Sequence, residues 1–172
     1  MLNPIPSEVD VAVIGAGSAG LPAFRAAREH TDRVILIERG PHGTTCARVG
    51  CMPSKLLIAA AEAAHGMEIA PGFGIHPGSI SIDGEAVMER VRRERDRFVG
   101  FVLDGVDRID PEQKISGQAR FVEDSRLEIG NSQVRAGRVV IASGTSPAIP
   151  DFLEQVRDLS LIHISEPTRR YN

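Results

Sequence analysis

Near its N-terminus the chain sets an apolar strand, a glycine-rich turn, a helix and a second apolar strand in unbroken succession. This order restricts the fold more than any other feature. Residues 9–14 are apolar except for Asp10 and read as a buried strand. Gly15-Ala16-Gly17-Ser18-Ala19-Gly20 then turns the chain. Residues 21–29 carry Leu21, Phe24 and Ala27 near helical spacing, with Pro22 in the first turn, where its missing N–H costs little. Residues 34–37 are the second apolar stretch, ending at Glu38. Strand, turn, helix and strand in that order imply a right-handed crossover and a parallel sheet, hence an α/β, Rossmann-like fold class.

The glycines of the turn answer different needs. Gly15 permits the tight turn, Gly17 lets backbone N–H groups approach a pyrophosphate, and Gly20 lets the helix pack closely on the strand. Ser18 lies in the same turn and joins the candidate cofactor-binding residues. The helix N-terminus adds partial positive charge. Glu38, 18 positions after Gly20, stands where an acid accepts hydrogen bonds from a ribose hydroxyl. The plainer alternative is a glycine turn that merely packs a helix. These residues do not separate FAD from NAD.

The only two cysteines, Cys46 and Cys51, lie five positions apart within residues 43–55, GTTCARVGCMPSK. Along a regular helix five residues rise about 7.5 Å, whereas a disulfide needs Cα atoms about 4.4–6.8 Å apart. The pair can bridge only if the backbone between them is irregular. Gly50 makes that feasible, and Pro53 favours a helix that begins after Cys51. Cys51 then sits at a helix N-terminus, where the dipole favours a thiolate, and Lys55 can add positive charge. A thiol pair beside a dinucleotide site suggests two-electron chemistry between a disulfide and a flavin, since a disulfide does not exchange electrons directly with nicotinamide. The spacing alone also suits two unrelated buried thiols, each acting as a small hydrophobe.

Composition excludes several other classes. The net charge of −3 argues against nucleic acid or anionic lipid as the main partner. The arginines between 90 and 97 alternate with Glu94 and Asp96, as on the wet face of a helix. The first ten residues have no cationic start followed by an apolar run, so no secretory signal is expected. The longest mostly apolar run, residues 56–64, is too short to span a bilayer and contains Glu62. A cytoplasmic location follows as the expectation, and there a close cysteine pair is more often catalytic or metal-binding than a permanent staple. No second cysteine or histidine pair completes a ligand set, so no metal site is expected.

Further along, residues 53–67 read as a helix, 71–84 as a Gly- and Pro-rich loop, and 85–109 as a long amphipathic helix. Short strands are expected at 119–123, 126–129 and 133–135, with a turn at Gly130-Asn131. Residues 139–142 read as a central parallel strand, followed by Ser143-Gly144-Thr145-Ser146-Pro147. His42, His65 and His76 read as surface or loop residues.

GTTCARVGCMPSK resembles GGTCxNxGCxPSK, the redox motif of the pyridine nucleotide–disulfide oxidoreductases. Two further segments resemble that family: ASGTSP, beginning at Ala142, resembles its ATGSxP, and Gly117-Gln118-Ala119-Arg120-Phe121 resembles its GxAxF. The likeness covers residues 9–150 and is greatest to the dihydrolipoyl dehydrogenase branch. It implies a Rossmann-like FAD-binding domain, a parallel sheet with a small antiparallel β insertion. Cys46 would exchange with the substrate disulfide, Cys51 would face the flavin, and Lys55 would sit near the flavin N5. Gly15, Gly17, Gly20 and Glu38 would hold the ADP part of FAD, with Ser18, Thr45 and Ala119 among the cofactor-binding residues. Ser143 and Gly144 would close over the cofactor. Ser54 is what lipoamide and mercuric reductases carry. Two positions depart from the motif: Thr44 replaces its second glycine and Arg48 its asparagine. A β-branched Thr44 would be strained if that position needs positive φ.

By the same resemblance, residues 1–157 are the N-terminal part of an FAD domain, and the NAD-binding and dimerisation domains are absent. Residues 158–172 read as a non-native tail resembling sequencing-adapter read-through. The parent would be a homodimer that passes electrons from a small-molecule dithiol or lipoyl-protein substrate to NAD. Mercuric or glutathione reduction is the sibling alternative. A non-enzymatic nucleotide-binding redox module is the alternative from a different class. The fragment itself is expected to turn over little, and truncation to leave apolar surface uncovered.

Overall fold

The computed structural model describes residues 5–145 and 150–152. The chain divides into two compact units: residues 1–45 with 101–147, and residues 46–100 with 148–172. Ser146, Pro147 and the expected tail lie outside the described residues.

The first unit is a six-stranded sheet of order β3-β2-β1-β6-β5-β4. Its strands are β1 (Glu8–Ile14), β2 (Val34–Glu38), β3 (Lys114–Ser116), β4 (Ala119–Glu123), β5 (Arg126–Ile129) and β6 (Ser132–Ile141). β1 pairs in parallel with β2 and β6, and β2 with β3, while β4, β5 and β6 form an antiparallel meander. This is the expected α/β class with its antiparallel insertion.

β1 and β2 are buried because both of their faces are covered. Ile35 and Ile37 point to one side with Val9, Ala12 and the meander residues Leu127 and Val134. Val34 and Leu36 point to the other, against Leu21 and Phe24 of helix α1 (Gly20–Arg28) and Val106 of helix α4 (Gly84–Asp107). The period of two thus divides a continuous apolar run between two cores. Each fully enclosed aliphatic side chain contributes about 1.5–3 kcal/mol.

One expectation needs correction. Residues 133–135 and 139–141 do not form separate strands; they lie in the single strand β6, which ends at Ile141 and leaves Ala142 outside it. Within β6, Gly137 allows close backbone approach, since a Cβ there would stand 3.1 Å from the Asp10 carbonyl oxygen. β3 was not expected; its three residues pair only with β2, too short a run to show a period.

In the second unit, α3 (Cys51–Ile69) starts and ends two residues outside the expected 53–67. A short helix, α2 (Thr45–Val49), precedes it and spans the boundary between the units. Gly50, at φ −122° and ψ −110°, separates the two helices, and its carbonyl already accepts from the Ser54 N–H at 3.3 Å. A 3₁₀ turn, Ala70–Phe73, follows α3 and ends at Gly74 with φ 77°. Asp83 caps α4, accepting from the Ala86 N–H at 3.0 Å. Pro53 is the only residue of α3 that is fully buried, and Ile58, Met67, Phe73, Ile75 and Ile82 are exposed. Among the described residues, no helix is long and apolar enough to cross a membrane.

Candidate functional site

The ends of β1, β2 and β6 meet at the glycine turn. The Gly15 N–H donates to the Ile37 carbonyl at 2.7 Å, and the Ala142 N–H to the Ile14 carbonyl at 2.8 Å. Gly15 has φ +103°, and a Cβ on it would lie 2.2 Å from the Ala142 carbonyl oxygen. A Cβ on Gly20 would lie 1.7 Å from the Gly15 carbonyl oxygen. Both glycines are therefore required by the protein's own packing. Gly17 differs, because a Cβ there would meet no protein atom within 4 Å. The space over that peptide is open, and the Leu21 N–H closes the first turn of α1 on the Gly17 carbonyl at 3.1 Å.

Glu38 binds these segments together. One carboxylate oxygen accepts from the Ala16 N–H at 2.7 Å and the other from the Gly40 N–H at 2.8 Å. Its backbone carbonyl accepts from the Gly117 N–H at 2.9 Å, drawing in the chain that leads to β4. Beside this junction is a pocket of about 400 Å³. Of the sequence-predicted residues, Gly15, Glu38, Ala119, Ser143 and Gly144 line it. Gly17, Ser18 and Gly20 lie in the turn itself and are not among the lining residues; Ser18 is exposed. Arg39, Gln118 and Thr145 also line the pocket and were not singled out in the sequence. Arg39 had a signal, because it directly follows the acid that ends β2.

The thiols belong to the second unit. Cys46 lies within α2 and Cys51 opens α3, with Gly50 between the helices. The backbone between the cysteines is thus irregular at Gly50, as their spacing requires. Both thiols are free; Cys46 is half-buried and Cys51 exposed. A hydrogen bond with Cys51 is the main reason the Cys46 thiol is held above its ordinary value, followed by burial and the charge of Cys51. A backbone hydrogen bond to Cys51 and the charge of Lys55 pull the other way. Lys55 is exposed on α3, close enough to act on Cys46. Thr45 is the exposed first residue of α2.

Thr44 has φ +58° and follows Gly43 at φ +107°. The strain expected of a β-branched residue at this motif position is therefore present. His42 lies in the loop between β2 and α2, as expected, and is half-buried. Its Nδ1 is enclosed and has no hydrogen-bond partner among the described residues. His65 is exposed, 3.6 Å from Glu68. His76 is also exposed.

The family described as pyridine nucleotide-disulphide oxidoreductase matches residues 9–170. A mercuric reductase of Streptomyces lividans is 36% identical over 86% of this chain and 33% of its own length. A glutathione reductase of Burkholderia cepacia is 32% identical over 83% of the chain and 32% of its own length. The chain thus spans about a third of such relatives. The HOCl-induced flavoprotein disulfide reductase RclA of Escherichia coli has the same fold, with a TM-score of 0.63 at 20% identity, over 83% of this chain and 29% of that one.

Proposed function

Since the chain belongs to the pyridine nucleotide-disulphide oxidoreductase family, we propose that it is the flavin- and disulfide-bearing portion of an enzyme that carries electrons between a substrate dithiol and NAD(H). The observation that carries this reading is the thiol pair placed on either side of the helix break at Gly50, with Cys51 near enough to hold the Cys46 thiol above its ordinary value.

The first unit fits the ADP half of FAD. Its pocket has the volume of a nucleoside-sized site. The open space over Gly17 is one that a Cβ would enter and a pyrophosphate would occupy, at the N-terminus of the nine-residue helix α1. Glu38, already oriented by two backbone N–H groups, keeps lone pairs for a ribose hydroxyl. When bound, the flavin would supply the two-electron exchange between the thiol couple and nicotinamide.

The chain's own residues perform the sulfur chemistry. In the oxidised pair, a substrate thiolate attacks Cys46 Sγ; the Cys46–Cys51 bond breaks and Cys51 leaves as a thiolate. The substrate's second thiol, losing its proton, attacks the substrate sulfur of the mixed disulfide and releases Cys46, which takes up a proton. The substrate is oxidised to a disulfide by two electrons, and the protein is reduced by the same two. Its hydrogen bond with Cys51 and its burial hold the Cys46 thiol above its ordinary value, which favours the proton that Cys46 takes up on release.

Dihydrolipoamide is the substrate suggested by the motif and by Ser54. Mercuric ion is the second reading, favoured by the names of relatives such as the Streptomyces protein; a close thiol pair suits a soft ion. The nicotinamide site, the dimer contacts and the base for the substrate thiol are assigned to the part of the relatives that this chain does not span. Loading the chain with FAD and reducing it stepwise tests the reading. A long-wavelength shoulder at partial reduction, lost in Cys51→Ser, is expected; a bound flavin blind to that substitution would refute the thiol assignment.

A further inference from the structure

The adenosine-sized pocket holds no aromatic side chain among its lining residues; Ile14 and Ile37 are its bulky apolar ones. A purine face can take a flat partner besides these aliphatic ones, and Arg39 has the only guanidinium among the lining residues. That side chain is exposed and makes no hydrogen bond, ion pair or ring contact among the described residues. Several other cations near the sheet have partners, Arg33 with Glu8 and Asp10, Arg28 with Asp32, and Lys114 with Asp107, and none of these three lines the pocket. Arg39 directly follows Glu38 in the chain and lines the same pocket. Gly117, at the start of the wall segment that includes Ala119, is tied to the Glu38 carbonyl, so that segment and Arg39 flank the same corner.

We propose that Arg39 is the residue that recognises the adenine of the dinucleotide, its guanidinium lying against the purine face. The inference rests on the flavin reading above and adds a residue that the redox motif does not contain. A guanidinium suits this role because it is planar, weakly hydrated and stacks on π systems while keeping its N–H edge in water. An ammonium has the charge without the plane. A phosphate contact is the competing use of the same cation, and salt distinguishes the two, because an exposed ion pair is screened and stacking is not.

The test is calorimetric titration of the full 172-residue chain with ADP and with FAD, for the parent, Arg39→Ala and Arg39→Lys. Arg39→Ala is expected to weaken both ligands about five- to tenfold. Arg39→Lys should recover little of that loss, and the ratio of variant to parent affinity should hold between about 0.05 and 0.5 M salt. Full recovery by lysine, or a ratio that collapses in salt, would convert Arg39 into a phosphate contact and overturn the proposal. An Arg39→Ala chain that binds FAD as tightly as its parent would overturn it while leaving the flavin reading intact. A parent chain that takes up neither ADP nor FAD removes both readings. The ligand-free melting temperature should be unchanged in Arg39→Ala; if it falls, Arg39→Lys alone carries the comparison.

Discussion

The glycine turn and the cysteine loop both force the backbone into positive φ, and they use opposite residues to do it. At Gly15, φ is +103° and there is no room for a Cβ, so the position is open to glycine alone. At Thr44, φ is +58° and a β-branched side chain occupies it beside Gly43. The first region has hydrogen-bonded strand ends and two enclosed cores; the second has half-exposed sulfurs and an αL threonine. The sheet proposed to hold a dinucleotide confines its non-glycine positive φ to Ser125, in the turn between β4 and β5. The loop proposed to open and close a sulfur–sulfur bond carries its strain at Thr44.

Substitutions that reverse each region's solution sharpen the contrast. The largest effect is expected at Gly20→Ala, where the new Cβ would lie 1.7 Å from the Gly15 carbonyl oxygen. The backbone must move, and urea denaturation should show a loss of about 3 kcal/mol or more. A loss under about 1 kcal/mol would mean that the helix does not pack on the turn as described. Gly17→Ala lies in the same turn and should separate folding from binding. Its Cβ meets only open space, so melting should be unchanged while FAD affinity falls about tenfold or more. Equal losses at Gly17 and Gly20 would erase the distinction between the two glycines.

In the cysteine loop the sign reverses. Thr44→Gly relieves an αL β-branched residue and should stabilise the chain by about 1 kcal/mol, after the extra entropy of glycine in the unfolded state is counted. Destabilisation in the same denaturation series would show that Thr44 makes contacts worth more than its strain. The smallest effect concerns protons. The folded-state pKa of Cys46 lies above its unfolded value, so its contribution to the stability of the reduced chain is complete below the unfolded value and lost as pH rises through the folded one. Reduced chain should therefore weaken on the alkaline side, and Cys51→Ala should move the pH midpoint of Cys46 alkylation downward. A midpoint that does not move would mean that Cys51 does not hold the Cys46 proton.

Sequence made the first region legible because its signals are local and repeated. β4 and β5 appear at the expected residues, and α1 within one residue of them, since turn and periodicity agree there. The continuity of β6 was not legible, because a glycine such as Gly137 in a strand marks either a break or a close approach, and only the neighbouring Asp10 carbonyl distinguishes them. β3 was too short to show a period. In the site, the glycines, Glu38 and the cysteines were visible through spacing, with resemblance supplying their roles. Arg39 was visible only as the residue after Glu38, and its place on the pocket wall, like the enclosure of the His42 Nδ1, is read from the structure.

The account depends on the two sulfurs and the flavin forming one electron reservoir. Anaerobic reductive titration of the FAD-loaded chain measures this directly. About four electrons per chain are predicted, two for the flavin and two for the thiol couple, falling to about two in Cys46→Ser or Cys51→Ser. Uptake of only about two electrons by the unsubstituted, initially oxidised chain would contradict it.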